Sequence, residues 1–389
     1  MQRIGLFGGT FNPIHMGHLR LATAFVQSLC LDKLIVIPDY MPPHKDAKDL
    51  ASAVDRYNMC RVAVAGIPNA EVSDYELRRE TKSYTVHTLQ HFNAVFPDAE
   101  LFFIMGSDMF VTLEEWYDAK TLFTLATMCA GARNLGEYRR LVEYADMLTQ
   151  KGVKTCVVDI EPYAASSTDI REGLRRVGGA RHESLPESVC RYIDTVRPYG
   201  GERADVLLYK KEIAARLSAQ RYEHSVCVAK EAVTLSILFG ADENKAYIAG
   251  LLHDIAKEMP QDEQLQMVQK SGIILDGVEQ KTPKLWHSIL GAQLVRSIGI
   301  NDEQIINAIR YHTTAREGST LLEQVVYLAD WISFERSFKA AQTVRERIAF
   351  GLDSAMLCAL SASIAGLAKR ECSLHIDTVM AYNSFLPAE

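Results

Sequence analysis

Gly8-Gly9-Thr10-Phe11-Asn12-Pro13-Ile14-His15-Met16-Gly17-His18-Leu19 follows a short apolar run, Arg3–Phe7, and opens a helical pattern, His18–Leu29. Glycines at a strand–helix junction let the backbone approach a ligand closely, and a helix N-terminus offers free N–H groups with positive partial charge. His15 and His18, three apart around the turn, can aim at one spot and donate hydrogen bonds to phosphate oxygens. The plainer alternative is a glycine-rich turn with two incidental surface histidines. A shuffled chain of this composition gives His-x-Gly-His roughly 0.02 times. There is no G-x-x-x-x-G-K-[ST] and no G-x-G-x-x-G after a strand, which argues against a P-loop and a dinucleotide oxidoreductase.

Outward from this stretch, further apolar runs predict strands at Lys33–Pro38, Glu71–Leu77, Leu101–Met105, Ala126–Ala130 and Lys154–Asp159. Helical patterns at Arg56–Ala65, Thr85–Phe96, Leu113–Phe123 and Tyr138–Gln150 alternate with them. Such alternation predicts an α/β domain, a mainly parallel sheet covered by helices, with ligands at the carboxyl ends of the strands. Beyond Val196-Arg197-Pro198-Tyr199-Gly200-Gly201 the strand-like runs nearly vanish. Patterns of 3.6 period follow at Ala204–Ser218, Tyr222–Phe239, Asn244–Ile255, Gln261–Lys270, His287–Ile298, Asp302–Arg310, Leu321–Ser333 and Val344–Ala368. The expectation is two domains, 1–200 α/β and 201–389 all-α, with the boundary near Pro198–Glu202.

Composition agrees with a folded chain: 389 residues, 48% hydrophobic and 23% charged. Lys and Arg number 42 against 49 Asp and Glu, a net charge of −7, so no basic excess points to nucleic acid or an anionic membrane. Small anionic substrates remain open, since they need only a local pocket of donors. The N-terminus carries no signal-peptide pattern, and no run of about 18 apolar residues predicts a spanning helix. Eight scattered cysteines without a C-x-x-C pair read as reduced thiols, so a cytoplasmic protein is expected. The sequence is compatible with a homo-oligomer and does not set the oligomeric state.

The glycine–histidine segment resembles the signature of the adenylyl-transferring nucleotidyltransferase superfamily. Asp39-Tyr40-Met41-Pro42-Pro43-His44-Lys45, Asp74-Tyr75-Glu76-Leu77-Arg78-Arg79, Ser83-Tyr84-Thr85, Gly106-Ser107-Asp108, Trp116-Tyr117, Arg133, Ser166-Ser167-Thr168-Asp169-Ile170-Arg171 and Leu185-Pro186-Glu187-Ser188-Val189 narrow it. They are similar to the bacterial nicotinate-mononucleotide adenylyltransferases, in that family's order, from residue 1 to about 200. The resemblance implies a Rossmann-like fold and in-line attack of the mononucleotide phosphate on the α-phosphorus of ATP, where positioning and charge stabilisation dominate. It implies that His15 and His18 bind the reacting phosphates with Lys45, that Gly8, Gly9, Thr10, Phe11, Ser167, Thr168 and Arg171 hold ATP, and that Mg²⁺ accompanies it. Thr85, Asp108, Trp116, Tyr117 and Arg133 would line the side that takes nicotinate mononucleotide. Read without the resemblance, Trp116 is equally a core aromatic, Asp108 a cap, Ser166–Thr168 an ordinary helix start and Arg78-Arg79 a solvated strand edge. Ala165 stands where the family usually has a larger apolar residue.

The helical half holds His224, His253, His287, His312 and His375. Four sit at apolar helix edges, and Asp254 and Asp330 join them in a region where a buried carboxylate is rare unless paired or metal-bound. The order H…HD…H…H…D resembles the HD-domain metal-dependent phosphohydrolases. Arg221-Tyr222-x-His224, Leu252-His253-Asp254-x-Ala256-Lys257, Trp286-His287, Arg310-Tyr311-His312-Thr313-Thr314 and Ala329-Asp330 are most similar to the branch of symmetrical diadenosine tetraphosphatases. That resemblance implies one metal on His224, His253, Asp254 and Asp330, and a second on His287 and His312 with Asp254 bridging. Imidazole with carboxylate suits first-row metals such as Fe or Mn, which can activate water and clamp the oxygens of a phosphoanhydride. Lys257 and Arg336 read as phosphate contacts or as two solvated cations. After Asp330 the branch usually carries Ile-Glu-Pro-Asn-Arg, but this chain has Ile332-Ser333-Phe334-Glu335-Arg336. That leaves the HD substrate open between diadenosine tetraphosphate, cleaved to two ADP, and another nucleotide. A non-catalytic nucleotide sensor is a second reading of this half, and phosphopantetheine or nicotinamide mononucleotide a second acceptor for the first.

Overall fold

Six apolar segments of the N-terminal half pair into one parallel sheet: β1 Gln2–Gly9, β2 Lys33–Pro38, β3 Ala70–Val72, β4 Ala99–Met105, β5 Thr127–Ala132 and β6 Thr155–Asp159. The computed structural model describes residues 1–41, 50–79, 81–132, 135–161, 163, 165–177 and 181–387. It divides into two units, Met1–Asp194 with Pro198–Gly200, and Thr195–Arg197 with Gly201–Glu389.

The sheet order is β3-β2-β1-β4-β5-β6, a Rossmann-like arrangement. Leu34–Ile37 and the whole of β5 are buried, as strands covered on both faces require. β1 pairs with β2 on one side and β4 on the other, with Leu6 opposite Ile35 and Phe103. The chain reverses its direction of winding there, which leaves a crevice at the carboxyl ends of β1 and β4.

Two expected elements of this unit come out differently. The strand expected over Glu71–Leu77 ends at Val72, because the Ser73 hydroxyl accepts the Tyr75 N–H at 3.2 Å and turns the backbone off the ladder. The chain then forms the short helix Tyr75–Arg78, which buries Glu76 and Leu77. The helix expected over Leu113–Phe123 is broken at Asp118, whose φ of 50° is left-handed. A 3₁₀ turn, Leu113–Glu115, precedes it and the helix Ala119–Leu125 follows. Leu113 and Leu122 are both fully buried across this break.

The second unit is helical among its described residues. Ala219–Phe239, Glu243–Leu252, Trp286–Ser297, Glu303–Tyr311 and Leu321–Ile332 pack on one another. Their starts are set by side chains: Ser218 accepts from the Arg221 N–H, Asp242 from that of Lys245, Asp302 from that of Gln304, and Thr320 with Glu323 forms a capping box. The helix expected over Val344–Ala368 is instead two, Lys339–Arg347 and Leu352–Lys369, separated at Gly351, where φ is 103°. Leu352–Lys369 has a mean hydropathy of 1.3 and is long and apolar enough to cross a membrane, contrary to the expectation from sequence. Its Leu352, Ala355, Met356, Ala359 and Leu360 are buried within this unit, while 22% of the apolar window as a whole is buried.

Gly250 lets two of these helices meet. A Cβ placed on it would lie 2.8 Å from Ala229 Cα and 3.1 Å from both the Ala229 nitrogen and the Val228 oxygen, all backbone atoms that cannot swing aside. Gly250→Ala is therefore expected to destabilise the helical unit by about 1–3 kcal/mol. Urea unfolding followed by helical circular dichroism would show this as a lower midpoint at unchanged slope.

Candidate active sites

In the first unit, the loop between β1 and the helix Met16–Ser28 borders a cleft of about 390 Å³. Gly8 and Gly9 admit it for lack of room: a Cβ on Gly8 would lie 3.0 Å from the Phe103 ring, and one on Gly9 2.9 Å from the Phe11 ring. Buried His15 caps the helix, and its ring stacks on that of His18 with centroids 3.7 Å apart. The His15 N–H donates to His18 Nδ1 at 3.2 Å. Neutral His18 therefore carries its proton on Nε2, where it can donate to an anion.

Gly8, Gly9, Thr10, Phe11, His15, His18, Thr85, Asp108 and Trp116 all line this cleft. Trp116 meets Phe103 edge-on and donates from Nε1 to the Thr112 hydroxyl at 3.2 Å. Ser167, Thr168 and Arg171 are placed beside the loop rather than on the cleft wall. The Ser167 hydroxyl donates to the Pro13 carbonyl at 3.1 Å, and Arg171 to the Asn12 carbonyl at 2.8 Å and to the Thr168 hydroxyl at 3.3 Å. Tyr117 is mainly exposed and packs on Tyr84, centroids 4.7 Å apart. Lys45 and Arg133 lie outside the described residues.

Sequence reasoning misses Arg56. Its guanidinium is 1% exposed and donates to the carbonyls of Thr10 at 2.9 Å, Asp39 at 2.6 Å, Tyr40 at 3.0 Å and Ala51 at 3.3 Å. It also pairs with the Asp39 carboxylate, which accepts from the Thr10 hydroxyl at 2.9 Å. One buried cation thus joins the loops that follow β1 and β2. Nothing in the sequence marks it apart from any arginine in a first helical turn. Glu76, also on the cleft wall, is pushed up from the usual carboxylate range by burial, against hydrogen bonds from Thr88 and Ser83.

The second unit brings together all six of its candidate ligands. His253 and His312 cap the C-terminal ends of Glu243–Leu252 and Glu303–Tyr311, His287 lies in the first turn of Trp286–Ser297, His224 within Ala219–Phe239 and Asp330 near the end of Leu321–Ile332. His224 Nε2 lies 3.1 Å from Asp330 Oδ1, and His253 Nε2 lies 3.6 Å from Asp254 Oδ2 and 4.0 Å from Asp330 Oδ1. His287 and His312 Nε2 lie 3.3 and 3.5 Å from Asp254 Oδ1. The two oxygens of Asp254 thus face different imidazoles.

Each Nδ1 is already committed. Those of His253, His287 and His312 donate to the carbonyls of Gly250, Lys284 and Ile309, each at 2.7 Å, and that of His224 donates to Glu335 Oε1 at 2.6 Å. Where a ring is neutral with its proton on Nδ1, its Nε2 presents a lone pair to the centre, and the Nε2 atoms of His287 and His312 approach to 3.1 Å. On His224, which Asp330 and Glu335 keep protonated, a cation would displace the Nε2 proton. His224 Nε2, His253 Nε2 and Asp254 Oδ1 are buried without a hydrogen-bond partner. Convergent lone pairs and carboxylates of this kind fit cations.

Charge balance shifts these groups as expected. Burial lowers His253 to about 3, and burial also lowers His287 despite Asp254. Burial opposes charge on Asp254 as well, but His253, His287, His312 and Lys257 outweigh it and hold the carboxyl well below its usual range. For His224, burial is outweighed by Asp330 and Glu335, which raise it to about 9. Lys257 Nζ lies 2.9 Å from His287 Nε2 and 3.4 Å from Asp254 Oδ1, while Arg336 pairs with Asp330. Arg221, to which sequence reasoning gives no role, lies 3.2 Å from Asp254 Oδ2. His375 joins a separate group with Asp276, at 3.0 Å, and Glu279, at 3.6 Å.

Comparison with known proteins places both units. The cytidylyltransferase-like family matches residues 6–173 and the HD domain family residues 221–335. A protein of Mycoplasma genitalium named "Probable nicotinate-nucleotide adenylyltransferase/Ap4A hydrolase" is 30% identical over 330 residues, 85% of this chain and 87% of its own. A "Probable nicotinate-nucleotide adenylyltransferase" of Clostridium acetobutylicum is 36% identical over 45% of this chain and 88% of its own. A crystal structure from Clostridium acetobutylicum, described as an HD superfamily hydrolase involved in NAD metabolism, is 33% identical over 48% of this chain and 98% of its own, with a TM-score of 0.45. An HD domain implies divalent metal binding, and His224, His253 and Asp330, like His253, Asp254 and His312, lie close enough to share an ion.

Mn²⁺ is expected to raise the thermal midpoint of the helical unit, by about 2.7 kcal/mol of stability at a free concentration 100-fold above Kd. Asp254→Asn should remove most of that gain. Calorimetry with added Mn²⁺ and with chelator provides the measurement.

Proposed function

Because the chain belongs to the nicotinate-nucleotide adenylyltransferase/Ap4A hydrolase family, we propose that it carries both activities, one in each unit. The first unit transfers the adenylyl group of ATP to nicotinate mononucleotide. The second hydrolyses diadenosine tetraphosphate to two ADP. The observation that carries the reading is the committed Nδ1 of all four imidazoles around Asp254 and Asp330, together with the stacked His15–His18 pair at the mouth of a helix.

In adenylyl transfer, a phosphate oxygen of the mononucleotide forms a bond to the α-phosphorus of ATP while the bond from that phosphorus to the α–β bridging oxygen breaks. The products are deamido-NAD and pyrophosphate, which carries away the leaving electron pair. The start of Met16–Ser28 and His18 Nε2–H supply donors for the charge that gathers on the α-phosphoryl oxygens. Gly8 and Gly9, on the cleft wall, leave room for the Phe103 and Phe11 rings that shape it, and Arg56 holds Thr10 and Asp39 in register. Lys45 and Thr168 supply further donors for ATP, with Mg²⁺ as counter-ion, while Ser167 and Arg171 brace the Asn12–Pro13 loop that faces it. Thr85, Asp108, Trp116, Tyr117 and Arg133 take the nicotinate side, with Trp116 offering a face for the pyridine ring.

In hydrolysis, a water oxygen forms a bond to one of the two inner phosphorus atoms of the tetraphosphate. The central bridging oxygen leaves with the other ADP and takes up the proton that water loses. His224, His253, Asp254 and Asp330 would hold one divalent ion, and His287 and His312 a second, with Asp254 shared. Two first-row ions, Fe or Mn, would supply Lewis-acid charge and lower the pKa of water. Lys257, Arg336 and Arg221, now paired with ligand carboxylates, stand where they can neutralise the incoming phosphates.

His18→Ala should lower adenylyl transfer by about 10²–10³-fold and leave hydrolysis unchanged. Asp254→Ala should do the reverse, abolishing release of ADP from diadenosine tetraphosphate with Mn²⁺ while transfer persists. Wild-type protein that binds Mn²⁺ yet releases no ADP would leave the helical unit a sensor. In the transfer assay nicotinate mononucleotide should be strongly preferred over nicotinamide mononucleotide, and equal rates would reject the acceptor assigned above.

A further inference from the structure

The four imidazoles do not all find their Nδ1 acceptor in the same way. His253 and His312 stand at the last turns of their helices and His287 in a first turn, so each reaches the backbone carbonyl three residues earlier. His224 lies inside the 21-residue helix Ala219–Phe239, where the preceding carbonyls belong to the helical ladder. Its acceptor has to come from another element, and it is a carboxylate: Glu335 Oε1, at 2.6 Å.

That carboxylate is held in place. The Ser333 hydroxyl donates to the same Oε1 at 2.6 Å, and Ser333 is fully buried. Arg345 fixes the backbone on either side by donating to the carbonyls of Ile332 at 3.0 Å, Ser333 at 2.7 Å and Arg336 at 2.6 Å. Ser333 and Glu335 form one hydrogen-bonded unit behind His224.

We infer that Glu335 is a positioning residue that makes the two halves of the centre unequal, so that the ion on the His224–His253–Asp330 side binds more tightly than the ion on the His287–His312 side. This rests on the metal reading above. A charged acceptor polarises the Nδ1–H bond more than a carbonyl does, which makes Nε2 a stronger donor to a cation and fixes the plane of the ring. The other three imidazoles have only carbonyls behind them.

The test is a calorimetric titration of the metal-free full-length protein with Mn²⁺. Wild type should take up two equivalents, one tighter than the other. Glu335→Gln keeps an oxygen acceptor without the charge and should weaken the tighter equivalent about 10-fold, and Glu335→Ala about 100-fold. The weaker equivalent should stay as it is in both variants, each titrated well below its own metal-free thermal midpoint. Two equal equivalents in wild type, loss of both together in Glu335→Gln, or no change in either variant would overturn the inference. Wild-type protein that takes up no Mn²⁺ would instead overturn the metal reading, and this inference with it.

Discussion

Asp254 is a carboxylate with 2% exposure, held in its charged form inside a helical bundle. A buried charge is tolerated only when partners surround it, and losing one such partner commonly costs about 3–5 kcal/mol. In this unit the partners come from almost every helix of the core: His253 beside it, His287 and His312 on one oxygen, and Arg221 on the other. The close approach at Gly250, the helix ends at His253 and His312, and the capped starts at Ser218 and Thr320 all act to bring those groups to one point. The arrangement that supports the bundle is the same one that leaves lone pairs facing inward.

The α/β unit solves a different problem. Its cleft must present donors to anions while its walls stay fixed, and the loops that form it have no ladder of their own. Arg56 supplies the missing hydrogen bonds from below, to four backbone carbonyls on three segments. Asn12 adds to this by accepting from the Ala51 N–H and the Tyr199 hydroxyl, each at 3.1 Å, while its carbonyl takes Arg171. Polar groups in such loops can then be buried without being stranded.

Much of the fold is legible in the amino-acid pattern. β1, β2, β4 and β5 stand out because parallel strands inside the sheet, covered on both faces, carry apolar runs, while the edge strand β6 shows only a short one. Most core helices stand out because their apolar residues recur at a 3.6 period, while caps such as Ser218, Asp242 and Thr320 set their starts a few residues earlier or at the same point. The pattern misleads where a local hydrogen bond or one dihedral angle overrides it. The Ser73 hydroxyl ends β3 early, Asp118 in a left-handed conformation splits an apolar stretch, and Gly351 divides what periodicity joins. In the sites, the histidines and aspartates stand out by residue type and order. Arg56 and Glu335 do not, since each acts through partners far away in sequence: Asp39 and Thr10 for one, His224 for the other.

By itself the sequence determined the two-part organisation, the parallel sheet followed by helices, and the residue types available to each site. Those follow from periodicity and composition, which are local properties of the chain. Only the tertiary structure decided which nitrogen of each imidazole faces the centre, which oxygen of Asp254 faces which ring, and which cations balance the carboxylates. It also decided that Ser167 and Arg171 lie against the loop backbone while Thr85 and Trp116 line the cleft. These depend on distances of about 3 Å between residues that are often tens of positions apart, and hydrogen bonds and charges act over distance in space, not along the chain.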